Sequence, residues 1–121
     1  MALAREVMGG GFSAGQALAL NGGVSATVSA AGTTITDATD LATSVNVITT
    51  AGAGSGVQLP SMQIGDSVEI LNLGANAVTV YPYTGDRINA LSTNSGFTLA
   101  TNTAVMIQKF TSTRCMAFLS A

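Results

Sequence analysis

Three carboxylates stand close together in the middle of the chain. Asp66, Glu69 and Asp86 all fall within GDSVEILNLGANAVTVYPYTGDRINA, residues 65–90. A pair of carboxylates is the equipment of a glycosidase, one serving as acid and the other as base or nucleophile. The spacing argues against that use. Asp66 and Glu69 are three residues apart in a strand-like run, so their side chains point to opposite faces. Asp66 follows Gly65 and Asp86 follows Gly85, and an aspartate at such a turn usually bonds its own nearby backbone. Gly-Asp-Arg-Ile-Asn, residues 85–89, lacks the glycine spacing and the lysine of a phosphate-binding loop. Asp86 and Arg87 are instead expected to form ion pairs with neighbours, across a subunit interface for example. Tyr81 and Tyr83 flank Pro82; a sugar-stacking platform is one reading, and amphipathic rings at a sheet edge are the better one.

The remaining chemistry-bearing residues are few. Histidine is absent, which removes the usual general base near neutral pH and the commonest metal ligand. The single cysteine, Cys115, can form neither an internal disulfide nor a thiolate cluster. It sits in the apolar run TSTRCMAFLSA, where a buried inert thiol is expected. The expectation is therefore no enzyme, no catalytic or metal-binding residues and no cofactor.

Composition narrows the partners. Charged residues make up 8% of the 121, against about 25% in ordinary soluble domains. Arg5, Arg87, Lys109 and Arg114 are scattered, and nucleic-acid binding needs several clustered phosphate contacts. No run reaches the ~18 apolar residues of a membrane span. The first residues lack the basic, apolar, small-residue order of a signal peptide, so synthesis and retention in a cytoplasm until assembly are expected. Neither nucleic acid nor membrane is an expected partner. The low charge weakens the usual guard against association. Much of the hydrophobic 47% is alanine, aromatics are 5% and tryptophan is absent. A core so short of large side chains points to oligomerisation as a source of buried surface.

Two regions differ in pattern. Residues 1–22 combine ALAREVM, enough for a turn or two of helix, with a triple glycine and the apolar anchors Leu3, Val7, Phe12, Leu18 and Leu20. They read as an arm that orders against a neighbour. Residues 23–121 read as one all-β domain. VSATVSA, LATSVNVITT, VQLP, DSVEILNL, AVTVYPY, GFTLA, AVMIQKF and TRCMAFL are strand-like runs broken by Gly and Asn, as in an antiparallel sandwich, jelly roll or barrel. In DSVEILNL, Val68 and Ile70 share one face and Glu69 takes the other. Two hairpins are expected, one through Gly-Ala-Asn between ILNL and AVTV, and a weaker one through Thr-Ser-Thr between MIQKF and RCMAF. No long internal repeat stands out.

The ordered series VQLPSMQIGDSVEILNLGANAVTVYPYTGDRINA and then FTLATNTAVMIQKF resembles a β-rich module of tailed-bacteriophage virion proteins, the head decoration (cement) and head-fibre proteins. The likeness spans residues 57–119. Each piece is ordinary turn chemistry; the order is what carries the resemblance. It implies a trimeric all-β domain on the outer capsid surface, bound to the major capsid protein at threefold or quasi-threefold positions, stabilising the shell. The N-terminal segment would attach the subunit, through Leu3, Val7, Phe12, Leu18 and Leu20. Tyr81, Tyr83, Asp86 and Arg87 would serve subunit or capsid contacts. The chain has no shaft repeat and no second domain, which favours a compact decoration protein over the alternative, a head-fibre or tail-fibre/spike domain that binds a host glycan. The closing strand, aromatic in that family, carries Phe118 but no tryptophan.

Overall fold

Ten strands, and no helix, build the part of the chain that the computed structural model describes, residues 23–120. The arm, with Leu3, Val7, Phe12, Leu18 and Leu20, lies outside the described residues. In chain order the strands are β1 (Val24–Ser29), β2 (Thr39–Asp40), β3 (Val45–Thr50), β4 (Gly56–Gln58) and β5 (Ser67–Asn72). They continue as β6 (Val78–Tyr81), β7 (Arg87–Ile88), β8 (Phe97–Leu99), β9 (Thr103–Thr111) and β10 (Arg114–Leu119). The all-β expectation is met, and all eight strand-like runs contain a strand.

The strands form two sheets. The large sheet runs β1-β3-β5-β9-β10-β7 and the small one β2-β4-β6-β8. From β1 to β6 the chain alternates between them, and neighbours within each sheet are parallel: β1 with β3, β3 with β5, β2 with β4, β4 with β6. This is a solenoid-like winding. The last four strands close it with antiparallel pairings of β9 to β5, β10 to β9 and β8 to β6, while β7 joins β10 in parallel. Strand direction is thus mixed, where antiparallel order was expected. Val45 and Glu69 stand beside each other, as do Val57 and Val80, so each coil stacks on the previous one.

One hydrophobic cluster lies between the sheets. Ile48, Val68, Ile70, Val105, Ile107 and Ile88 come from the large sheet, and Val57, Val78, Val80 and Leu99 from the small one. Val68 and Ile70 point inward and Glu69 outward, as the alternation predicts. Leu41, Ala51, Leu59 and Met62 fill the corners where the chain passes between sheets.

The hairpin expected at Gly-Ala-Asn does not form. β5 belongs to the large sheet and β6 to the small one, so LGAN is a corner. Asn72 and Asn76 enforce it. The Asn72 carboxamide oxygen accepts the Gly74 N–H at 3.0 Å, and its nitrogen donates to the Asn76 and Leu99 carbonyls, each at 3.0 Å. Asn76 donates to Ala51 O at 2.9 Å, which ties this corner to the equivalent one a coil earlier, between β3 and β4. The Thr-Ser-Thr hairpin does form, with Thr111 opposite Arg114.

The first corner has its own clasp. Asp37 Oδ1 accepts the backbone N–H groups of Thr33 and Thr34 at 3.0 and 2.7 Å and the Thr34 hydroxyl at 2.8 Å. The Thr34 N–H leads in holding the Asp37 carboxyl below its usual range. Gly32 sits inside the clasp at φ +74°, and a Cβ there would run into the Asp37 backbone carbonyl. Gly32→Ala is expected to destabilise the protein by about 1–2 kcal/mol, from left-handed strain and the clash. Gly54→Ala is the control: its φ is also positive, but nothing surrounds its Cβ position. A urea midpoint that falls no further for the first variant than for the second would refute the clasp.

Candidate interaction surface

The large sheet has an unusual division of polarity. Its buried face carries Asn46, Asn72 and Lys109 among the aliphatic side chains. Its outer face carries Val45, Val47 and Leu71, half-buried, and Met106, Phe110, Met116 and Phe118, exposed. The strand register explains how these residues meet. Val24, Val45, Glu69, Met106 and Phe118 lie side by side across β1, β3, β5, β9 and β10. Val47, Leu71 and Ala104 form a parallel row. Val24 and Phe118 are 60% and 50% exposed, at opposite ends of the first row. A bulge in β1, between Ser25 and Val28, lets Val24 face outward while Val28 enters the core. A shallow groove of about 270 Å³ runs between Glu69, Leu71, Met106 and Phe118.

Charges on this face are sparse and separated. Glu69, in the middle, makes no side-chain hydrogen bond or ion pair with another described residue. Arg87 and Arg114 pair across β7 and β10 at the far side. The Arg114 guanidinium lies 5.7 Å from the Phe110 ring centroid, and its Nε donates to Asn89 O at 2.6 Å. Arg87, like Glu69, has no side-chain partner among the described residues. Two cations side by side, without an anion, are an unfavourable cross-strand pair.

The three central carboxylates are dispersed. Asp66 caps its own turn by accepting the Gln63 N–H at 2.9 Å. Glu69 stands on the outer face. Asp86 is buried and pairs with Lys109 at 3.2 Å, both side chains 9% exposed. Its ion-pair partner within the chain is Lys109 on β9, which leaves little of Asp86 exposed for the subunit or surface contact expected of it. Tyr81 is half-buried and donates its hydroxyl to Thr33 O at 3.0 Å, and Tyr83 is exposed. Gly56 and Gly96 lie against the Tyr81 ring; a Cβ on either would stand 3.0 Å or less from it. That ring is structural. Cys115 is buried; burial first, then the Asp86 carboxylate, pushes its thiol up, while Lys109 opposes them. A thiol so held is a poor nucleophile. No group of three or more potential metal ligands occurs among the described residues.

The outer face was missed by a reading that looked for alternation. Its signal lies in VMI (105–107) and CMAFL (115–119), where apolar residues follow one another without a break. Such runs mark strands covered on both faces. Comparison with known proteins returns no matching family model, no matching curated protein and no matching solved structure.

Proposed function

We propose that this chain is a structural virion protein that works by binding: a homotrimeric decoration, or cement, protein on the outer surface of a tailed-phage head. In this reading residues 23–121 form the decoration domain, and residues 1–22 are the arm that fixes it to the major capsid protein. The observation that carries the reading is the apolar outer face of a sheet whose own core is filled from the other side. An exposed apolar area of this kind marks an interaction surface. The 8% charge content and the ordered series of turn motifs over residues 57–119 support the same reading. Clamping a shell requires no reaction. Three linked subunits gain effective concentration, so each contact with the coat can be weak.

The test is co-sedimentation with expanded coat shells of the parent phage. The full chain is expected to pellet with shells and to raise their disruption temperature. The chain lacking residues 1–20 is expected to stay in the supernatant with an unchanged β-sheet circular dichroism spectrum. Equal binding by both would refute the arm assignment, and no binding by the full chain would refute the decoration role.

A further inference from the structure

We infer that the outer face of the large sheet is where one copy of this chain packs on another, with Glu69 of one copy set against Arg87 and Arg114 of the next. This deepens the proposed function and rests on the self-assembly in it. The polarity of this face is inverted. Met106, Phe110, Met116 and Phe118 are exposed while Lys109 on the same hairpin is buried. Methionine, aromatic residues and arginine are the types enriched in protein interfaces.

The charges on the face favour a second copy as its partner. A partner on this face must neutralise two adjacent arginines at one side and one glutamate near the middle. A second copy carries both signs on the same face. If each copy offers its β5 side to one neighbour and its β10–β7 side to the other, every Glu69 meets an arginine pair. That contact is heterologous, and a heterologous contact closes into a ring when the rotation permits. A pair of identical faces with like charges opposed would instead be costly.

The size of the face sets the size of each contact. Six strands spaced about 4.8 Å apart, five of them about 20–30 Å long and β7 only two residues, cover about 550 Å² in plan, before side-chain relief is counted. Shared between two neighbours, the face gives each contact about half of this in plan, less than the about 800 Å² that each partner gives to a standard interface, and closure of the ring through several such contacts adds to each. The chain's net charge of −2 opposes such packing only weakly.

Light scattering on the full chain tests the inference. The wild type is expected at three times 12.0 kDa. Phe118→Glu and Met106→Glu, both at exposed positions, are expected to reduce that mass threefold without altering circular dichroism. Glu69→Lys is expected to weaken the trimer, and adding Arg87→Glu to it to restore the wild-type mass. A trimer that survives both Phe118→Glu and Met106→Glu overturns the inference. So does a wild type that stays monomeric at every concentration. A monomer whose shell binding is lost with Phe118→Glu gives the face to the coat protein, overturning self-packing and leaving the decoration role standing. A trimer broken by Phe118→Glu that never binds shells upholds self-packing and removes the decoration role.

Discussion

Asn72→Leu is expected to cost about 3 kcal/mol of folding stability, although leucine has the same number of side-chain heavy atoms as asparagine and sits well in an apolar core. Asn72 is fully buried. Its side chain holds the chain where β5 leaves the large sheet for the small one. Leucine would orphan the Gly74 N–H, which Asn72 accepts at 3.0 Å, and would remove the bonds donated to Asn76 O and Leu99 O. A buried donor without a partner costs about 1–3 kcal/mol, and each lost bond adds about 1. Gly74 cannot shift to find a new partner. Thr101 Oγ1 bonds its carbonyl, and a Cβ on Gly74 would come within 2.7 Å of the Ala51 side chain, so the two corners are in contact there. The measurement is urea unfolding followed by circular dichroism. With a slope of about 1–3 kcal/mol per molar urea, the midpoint should fall by about 1 M or more. A change under about 1 kcal/mol would show that the corner is fixed by packing alone.

The same corner shows what could be read in the sequence and what could not. Strand existence was legible because β-branched and aliphatic residues cluster between glycines and asparagines, and Val68, Glu69 and Ile70 took the faces that alternation assigns them. Partner choice was not legible. Gly-Ala-Asn has the chemistry of a tight hairpin, yet Asn72 and Asn76 spend their side chains on Gly74 and on Ala51 of the corner one coil earlier, which sends β6 to the other sheet. Thr-Ser-Thr is a poorer turn signal, and it closes a true hairpin in which Ala117 lies beside Ile107 on the inner face and Phe118 beside Met106 on the outer one. The stacking left no repeat in the sequence. Rungs recur at Val24, Val45 and Glu69, and at Thr39, Val57 and Val80, unequal intervals filled by unrelated residues. Asn46 and Lys109 look like surface residues in a strand, and both are buried because Thr43 satisfies the one and Asp86, from a distant loop, the other. Their burial fixes the outer face too, since Val45, Val47 and Phe110, their neighbours in sequence, take the opposite side of the sheet.

Lys109 is where that reversal has its largest energetic consequence. Asp86→Ala is expected to destabilise the protein by about 3 kcal/mol, because it leaves the Lys109 ammonium nine-tenths buried with no anion beside it. The pair connects β9 to the loop that precedes β7. The same loop is tied by Asp86 N–H to Tyr83 O and by Asn94 N–H to Asp86 O, each at 2.9 Å, and by Gly85 N–H to Asn94 Oδ1 at 2.6 Å. Losing the carboxylate should therefore loosen β7 and, with it, the placement of Arg87 beside Arg114. Asp86→Ala with Lys109→Met separates the stranded charge from the lost attraction. Methionine follows the lysine stem without the charge, so the double variant is expected to recover most of the stability and to unfold nearer to wild type than Asp86→Ala does. Denaturant unfolding of the wild type, Asp86→Ala, Lys109→Met and the double variant reads the coupling directly. If the double variant is as unstable as the sum of the two single ones, the pair has no coupling. In that case the loop is held by its backbone bonds, and Lys109 is buried for the packing of its stem.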